Sequence, residues 1–204
     1  MKVAIIGAGN VGKALGTSIT RAGHDVTITA TDRQSAEAAA REIGATSADS
    51  NAQAASDADV VIVAIPFVGA GDEVADDILG EVAGKTIIDV TNPLKPDFSG
   101  LATNGSSAAE EFQKKLPEAN VVKAFNTILA ANQANPSAEI DGYVAADDGK
   151  AKQQVMSLVE SMGFAALDVG PLSSARFLEG MAFLNIGLNA QNGWSWTSAW
   201  RLER

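Results

Sequence analysis

The chain has 204 residues, 46% of them apolar, and a formal net charge of −10 from 25 acidic and 15 basic side chains. This size suits one domain with its own core, and the acidic balance argues against a nucleic-acid partner, which would require clustered Lys and Arg. The absence of cysteine excludes disulfides and thiolate chemistry, and a single histidine excludes a histidine-rich metal site.

Two features of the sequence bear on location. No apolar run approaches the ~20 residues that a membrane span needs. The first predicted strand follows directly on Met1-Lys2, so we expect no signal peptide. We therefore predict a cytoplasmic protein with no membrane partner and no metal site, whose chemistry comes from a bound organic cofactor.

The first element in chain order is an apolar strand, Val3 to Ile6, that leads into a G-x-G-x-x-G motif. Such glycines permit a tight turn, a close approach of backbone N–H groups to phosphate, and close packing of the next helix. That helix is predicted from Val11 to Ala22, with the positive end of its dipole facing the anion. The predicted pyrophosphate site consists of Gly7, Ala8, Gly9, Asn10, Val11 and Gly12.

The second predicted strand, Asp25 to Ala30, ends in the turn that discriminates between NAD and NADP. Asp32 lies about where an acid would bind the ribose diol of NAD. Thr31, Arg33 and Ser35 would instead surround the 2′-phosphate of NADP, with Arg33 giving charge-assisted bonds. We favour NADP(H); the structural alternative is that Asp32 only starts the next helix and that Arg33 is solvated.

Strand and helix signals alternate along the rest of the chain, which predicts an α/β fold: a Rossmann-like, doubly wound and mainly parallel sheet with a C-terminal helical segment. Residues 1–204 are expected to form one dinucleotide-binding domain. Further strands are predicted at 45–47, 60–65, 85–90, 120–125, 142–146 and 165–169, and helices at 34–43, 72–83, 107–116, 149–162 and from residue 173 or 174 to 189. The Pro- and Gly-rich loop 94–105 is a candidate lid.

Three of the predicted strands end in residues suited to the nicotinamide end of a dinucleotide, because ligands of open α/β sheets bind at the carboxyl ends of strands. These ends are Ile65-Pro66-Phe67, Asn92-Pro93 and Asn126-Thr127-Ile128. Strand termination alone would explain either proline. The three ends together favour a binding site.

Several motifs, in this order, resemble the NADPH-dependent reductases of the deazaflavin coenzyme F420, and the related reductase domain of the STEAP ferric reductases. They are Val-Ala-Ile-Ile-Gly-Ala-Gly-Asn-Val-Gly, Ala-Ile-Pro-Phe, Asp-Val-Thr-Asn-Pro-Leu, Val-Val-Lys-Ala-Phe-Asn-Thr-Ile and Leu-Asp-Val-Gly-Pro-Leu-Ser-Ser-Ala-Arg. The resemblance implies hydride transfer between NADP(H) and a flavin-like ring, and a homodimer to which the C-terminal helices contribute.

The resemblance also assigns residues to the two rings. It implies that Ile65, Pro66, Asn92 and Pro93 surround the nicotinamide, and that the second ring lies beside Phe67, Asn126, Thr127 and Ile128. This chain departs from the pattern at Thr31, where the F420 enzymes can carry arginine, and at Asn126, where some carry histidine.

The sequence offers no well-placed acid or base. His24 precedes the second strand, at the wrong end of the sheet, while Lys123 and Tyr143 lie within predicted strands, and Asp147-Asp148 fits a strand-to-helix turn better than a metal site. Hydride transfer between two rings mainly requires positioning. We therefore predict an oxidoreductase that transfers a hydride between NADP(H) and coenzyme F420 or a flavin. The alternatives are a non-catalytic NADP(H) sensor and a small imine or carbonyl reductase, which would need a proton donor.

The C-terminal segment, residues 173–204, contains all three tryptophans, at 194, 196 and 200. Aromatic residues are enriched at protein interfaces. The segment is therefore expected to contribute to the dimer interface or to pack within the molecule. Closure over the ligand pocket is the alternative.

Overall fold

A computed structural model describes residues 1–203 and places eight strands of that range in one sheet, in the order β3-β2-β1-β4-β5-β6-β7-β8. The strands are β1 (Lys2–Ile6), β2 (Asp25–Thr29), β3 (Thr46–Ser47), β4 (Val60–Val63), β5 (Thr86–Asp89), β6 (Asn120–Lys123), β7 (Asp141–Ala146) and β8 (Ala165–Asp168). The α/β class and the mainly parallel sheet are thereby confirmed.

The first six strands pair in parallel, whereas β7 runs antiparallel to β6 and carries β8 in parallel beside it. A parallel neighbour requires a crossover that returns the chain to the amino edge of the sheet. The segment between β6 and β7 holds only one five-residue helix. It stays at the carboxyl edge, and β7 therefore begins there and runs back.

Within residues 1–203, eight α-helices cover the sheet: α1 (Asn10–Arg21), α2 (Arg33–Ile43), α3 (Asn51–Asp57), α4 (Phe67–Ile78), α5 (Ala108–Lys115), α6 (Ala130–Ala134), α7 (Gly149–Met162) and α8 (Ala175–Asn192). The short helices α3 and α6 were not among the predicted elements. Helix α4 begins earlier than the predicted residue 72 and is kinked at Val68 and Gly69, where the backbone is not helical.

Several predicted strands are too long at their carboxyl ends, and the two largest differences are at β4, predicted to residue 65, and β6, predicted to residue 125. Strand β4 stops at Val63, opposite Ile6, because β1 turns away at Gly7 and leaves later residues without a continuing partner. Strand β6 stops at Lys123, and Phe125 adopts a left-handed conformation with φ +62°. The two connections that follow are therefore irregular, and they lie at the edge where the site was predicted.

The core consists of two layers, one on each face of the sheet. Alternate residues of the central strands point to opposite faces, so Ile5 and Ile62 pack under α1, α2 and α7, while Ile6 and Val63 pack under α3, α4 and α5. Both faces of β4 are buried, as its continuous apolar run predicts. A sheet covered on both sides exposes its strand ends, where a ligand can bind.

The C-terminal segment packs against the β7 and β8 edge. Trp200 lies on a small apolar cluster around Tyr143 and Leu178, while Trp194 and Trp196 are exposed. The Asn132 amide donates to the Thr197 carbonyl at 3.0 Å. In residues 1–203, no helix combines the length and the apolar character needed to cross a bilayer.

Candidate functional site

The glycine loop is shaped by contacts that leave no room for side chains at two of its three glycines. Gly7 has φ +112°, and a Cβ there would lie 2.3 Å from the Ala64 carbonyl oxygen. A Cβ on Gly12 would lie 1.9 Å from the Gly7 carbonyl oxygen. Helix α1 therefore sits as close to β1 as the backbone allows.

Gly9 differs from the other two because a Cβ there would meet no atom within 4 Å. It precedes α1, no side chain of residues 1–203 caps this helix, and the first turn carries no acidic residue. Free N–H groups at an uncapped helix N-terminus bind anions. The open space over Gly9 and the uncapped helix fit a dinucleotide pyrophosphate.

The turn after β2 is organised by Asp32. Its carboxylate accepts from the backbone N–H of Ser35 at 2.9 Å and from the Ser35 hydroxyl at 2.7 Å, which caps α2. These hydrogen bonds hold the pKa of Asp32 below its ordinary value. Asp32 therefore starts α2 as its N-cap, as the structural alternative in the sequence analysis predicted.

Arg33 lies at the first position of α2, and its side chain is 74% exposed. Its Nε donates to Glu37 at 2.8 Å, and Nη1 lies 3.6 Å from an Asp49 oxygen. Exposed ion pairs of this kind contribute about 0–1 kcal/mol. The guanidinium can therefore exchange Glu37 for another anion at little cost.

A narrow cavity of about 90 Å³ lies where α1 meets the carboxyl ends of β5 and β6. It brings together five residues predicted from the sequence and seven that were not. The predicted residues are Val11, Asn92, Asn126, Thr127 and Ile128. The others are Val90, Leu129, Ala130, Gln133, Ala182, Asn185 and Ile186. We call this cavity the strand-end pocket.

The other predicted residues of the ring region lie outside the strand-end pocket. Pro66 forms the N-cap position of α4, and Phe67 packs edge-on against Phe112, with ring centroids 5.5 Å apart. Ile65 packs against the core beneath α3, α4 and α5. A larger cavity of about 800 Å³, lined in part by His24, lies at the amino edge of the sheet, away from the glycine loop.

The turn that follows β6 is held in a strained form. Phe125 is fully buried with φ +62°, a conformation that a bulky side chain rarely adopts. Its carbonyl accepts from Gln133 Nε2 at 3.1 Å and from the Ile128 N–H at 3.1 Å, and its ring packs on Phe164. Strain maintained by several contacts is typical of functional sites.

Gln133 is buried at 1% exposure, and sequence reasoning missed it. Its Nε2 donates to both the Phe125 and the Ile128 carbonyls, while the backbone carbonyl of Gln133 accepts from the Ser18 hydroxyl at 2.6 Å. A glutamine in a polar Ala-Asn-Gln-Ala stretch gives no signal of burial. Its role depends on how the chain folds back after β6.

Strands β5 and β6 and helix α8 share a fully buried ion cluster of Asp89, Lys123 and Glu179. The ammonium of Lys123 donates to Asp89 Oδ2 at 2.8 Å, to Glu179 Oε1 at 2.8 Å and to the Thr91 carbonyl at 2.6 Å. Glu179 Oε1 also accepts from the Ala108 N–H at the start of α5. The cluster ties α5 and α8 to the sheet.

Burial raises the pKa of Glu179 from 4.5 to about 7, and the opposing attraction of Lys123 does not cancel this effect. The sequence did contain a signal for the cluster: each of the three charges interrupts an apolar run, and a charge buried in such a run needs a partner. Lys123 is thus committed to structure and does not line the strand-end pocket, nor does Tyr143.

The remaining titratable candidates also have structural roles. His24 lies within hydrogen-bond distance of Ser161 Oγ, at 2.9 Å. Asp148 caps α7 by accepting from the Ala151 N–H, and Asp147 accepts from the Leu172 N–H. Among residues 1–203 there is no cluster of His, Asp or Glu that could hold a metal ion.

These features define a class. A parallel sheet, a glycine turn at the first strand end, an uncapped helix and a pocket at the next strand ends together constitute a dinucleotide-binding α/β protein.

Comparison with known proteins places the chain within this class. Residues 2–93 match the model of the family described as "NADP oxidoreductase coenzyme F420-dependent". That range includes the glycine loop, the turn after β2 and the ends of β4 and β5. Residues 2–93 are therefore similar to this family of NADP oxidoreductases, and the resemblance that the motifs of the chain indicated is confirmed.

Two curated relatives are similar over most of this chain. The metalloreductase STEAP3 of Rattus norvegicus is 31% identical over 185 residues, which is 87% of this chain and 36% of STEAP3. The uncharacterized oxidoreductase YfjR of Bacillus subtilis (strain 168) is 30% identical over 178 residues, 83% of this chain and 56% of YfjR. The chain thus spans about a third and just over half of their lengths.

A solved structure matches over the whole length. A candidate F420-dependent NADP-reductase from Arthrobacter sp. FB24 aligns over 100% of both chains, with a TM-score of 0.89 and 27% identity. The similarity extends beyond residue 93 and includes α8 and the ion cluster region.

Proposed function

We propose that this protein transfers a hydride between NADP(H) and a deazaflavin, coenzyme F420, or a flavin. One observation carries the proposal: the strand-end pocket joins Val11 of the pyrophosphate-binding helix to Asn126, Thr127 and Ile128, and none of its lining residues is titratable. A pocket without an acid or base suits a transfer between two rings, in which the protein supplies orientation and a dry environment.

The chain offers a distinct surface for each part of the dinucleotide. We propose that Gly7 to Gly12 bind the pyrophosphate through the N-terminus of α1, with Gly9 leaving the space for it. Ile65, Pro66, Asn92 and Pro93 would flank the nicotinamide, and Phe67 and the segment 126–128 the second ring. When bound, the nicotinamide supplies or accepts the hydride.

For the 2′-phosphate we propose Thr31, Arg33 and Ser35. Arg33 is exposed, and only surface ion pairs hold it. Arg33→Ala should weaken NADP+ binding about ten-fold, the range of one charge-assisted contact, and should leave NAD+ binding unchanged. Arg41→Ala removes an exposed arginine that lies 4.0 Å from the same Glu37 and serves as the control. Equal losses in both variants would contradict the assignment.

The activity itself is tested by mixing the protein with NADPH and either oxidised coenzyme F420 or FMN and following the absorbance of both partners. Turnover with either acceptor supports the proposal, and the acceptor used identifies the second substrate. Tight NADPH binding without oxidation by any flavin, deazaflavin or quinone would instead establish a sensor.

A pair of glycine variants separates binding from folding in this assay. Gly9→Ala places a methyl group where the pyrophosphate would lie, and Gly80→Ala places one in equally open space far from the loop. We expect Gly9→Ala to lose activity and NADPH affinity and Gly80→Ala to retain both. Full activity of Gly9→Ala would contradict the proposed binding mode.

We also propose a homodimer formed through α8. Phe177 is 75% exposed and Leu184 is 53% exposed, two turns apart on one face of this helix. Exposed apolar stripes mark protein interfaces. Light scattering should give a dimer mass for the wild type and a monomer mass for the double variant Phe177→Glu/Leu184→Glu. Leu79→Glu, at an exposed leucine elsewhere, should remain dimeric; a monomeric wild type would refute the proposal.

A further inference from the structure

Two amide side chains on the wall of the strand-end pocket have fixed orientations. Asn92 Nδ2 donates to the backbone carbonyl of Asn126 at 3.1 Å, and Asn126 Nδ2 donates to Asn92 Oδ1 at 2.9 Å. A backbone carbonyl can only accept, so the Asn92 amide cannot be reversed. Because Asn92 then presents its oxygen to Asn126, the Asn126 amide is fixed as well.

The result is a buried oxygen without a partner. Asn126 is 6% exposed, and within residues 1–203 its Oδ1 is shielded from solvent and receives no hydrogen bond. The backbone carbonyl of Asn126 fixes the orientation of the Asn92 amide, and Asn92 in turn fixes the orientation of the Asn126 side chain. The side-chain oxygen of Asn126 is therefore the atom that remains free. The free atom is an acceptor.

The side chain of Gln133 also has a buried oxygen without a hydrogen-bond partner in residues 1–203, and its orientation is fixed by different contacts. Its Nε2 donates to the carbonyls of Phe125 and Ile128 at 3.1 and 2.9 Å, which fixes the amide orientation. Its Oε1 is buried and has no hydrogen-bond partner in the part of the chain described. Asn185, the remaining amide on the wall, is already engaged with Ser198 and Asn189.

Two unpaired acceptors on residues that line one small pocket are costly unless a hydrogen-bond donor reaches them. A buried acceptor without a partner costs about 1–3 kcal/mol, and such groups in folded proteins call for a specific explanation. The other walls include the apolar side chains of Val11, Ile128, Ala182 and Ile186. Such a pocket favours a planar group that presents N–H and is otherwise apolar, and it disfavours a carbonyl edge or a carboxylate.

We propose that Asn126 Oδ1 and Gln133 Oε1 accept an amide N–H from the bound redox pair and so determine which edge of a ring enters the strand-end pocket. This inference rests on the proposed function. The cavity of about 90 Å³ admits an amide edge and not a whole ring. Two groups share this chemistry: the carboxamide NH2 of nicotinamide and the pyrimidine N–H of a deazaflavin or flavin.

Ligand analogues that differ only at these groups test the proposal by calorimetry on the intact protein. The thionicotinamide analogue of NADP+ keeps the NH2, whereas the 3-acetylpyridine analogue replaces it with a methyl group. We expect the thio analogue to bind like NADP+ and the acetyl analogue about ten-fold or more weakly, the effect of one hydrogen bond lost in a buried site. A second arm compares FMN with N3-methyl FMN in the presence of NADPH.

Variants connect the discrimination to the two side chains. Asn126→Ala removes one acceptor and leaves the backbone carbonyl that holds Asn92, so the preference for the NH2 analogue should fall toward one. Asn135→Ala removes an exposed amide at the end of α6, the short helix that carries Gln133, and should keep the wild-type preference. If Gln133→Met folds, its preference for the NH2 analogue is measured in the same way. The comparison is valid because both analogues are measured on the same protein.

The outcomes are distinct. Discrimination in the nicotinamide arm or in the flavin arm, lost in Asn126→Ala, supports the proposal and identifies the donor. Equal binding of both members of each pair overturns it while leaving the proposed function intact. Absence of NADP+ binding would overturn the proposed function, and this inference with it.

Discussion

Removing the cation from the buried cluster is the sharpest test of how α8 is attached. Lys123→Met keeps the length and apolar stem of the side chain but leaves the two buried carboxylates and the Thr91 carbonyl without their donor. Breaking a buried ion pair in this way costs about 3–5 kcal/mol. For a domain of this size that loss lowers Tm by roughly 10 °C.

The pH dependence of stability gives a second, independent signature. The pKa of Glu179 is raised from 4.5 to about 7 by burial, so the folded state holds this proton more tightly than the unfolded chain. The contribution of Glu179 to the free energy of unfolding is therefore largest below pH 4.5 and falls as pH rises to 7. A shift of this size corresponds to at most about 3 kcal/mol.

Urea unfolding at several pH values between 4.5 and 8 measures both effects. Glu179→Gln removes the titrating group and should flatten the profile in this window relative to wild type, whereas Glu160→Gln, at an exposed glutamate of α7, should not. Lys123→Met should be most destabilised at high pH, where Glu179 is charged and has lost its cationic partner. The reasoning is refuted if Lys123→Met unfolds within 1 kcal/mol of wild type, or if Glu179→Gln keeps the wild-type slope.

Three further predictions concern single contacts. Gly12→Ala should destabilise the fold by about 3 kcal/mol or more, because its Cβ would lie 1.9 Å from a backbone oxygen. Gly9→Ala should change the free energy of unfolding by under about 0.5 kcal/mol. Thermal denaturation measures both, and equal effects would contradict the loop geometry. Ser18→Ala should cost about 1 kcal/mol by removing the buried bond from α1 to the Gln133 carbonyl, measured by urea unfolding; an unchanged midpoint would show that bond to be dispensable. Asp148→Ala should cost about 1 kcal/mol as a lost cap of α7, with faster amide exchange confined to the first turn of α7, and unaltered exchange would count against it.

Much of the fold was predictable because its signals are local. The glycine loop, the apolar run that begins at residue 60 and the apolar run of β1 depend on residue type and spacing alone, and the structure has a turn or a strand beginning at or within a residue of each predicted start. The errors concern strand ends, the start of α4 and the short helices α3 and α6, which were not predicted. Where β4 and β6 stop depends on where a neighbouring strand turns away, which no local pattern records.

The candidate site divides in the same way. Asn92 and Asn126 were predicted from their positions after strands, because the carboxyl ends of parallel strands meet at one edge. Gln133 was not, since its burial follows from the strained turn at Phe125 and the short helix that folds back over it.

The sequence by itself determined that this protein has a Rossmann-like sheet with a glycine turn for a dinucleotide, because period, glycine spacing and strand-end residues are properties of the chain alone. Only the tertiary structure decided that Lys123 is held by Asp89 and Glu179 instead of serving as a proton donor. It also decided that two residues lining the strand-end pocket, Asn126 and Gln133, each keep a buried amide oxygen without a partner in residues 1–203. Partners distant in sequence meet only after folding, and the hydrogen bonds they form determine which atoms stay free for a ligand.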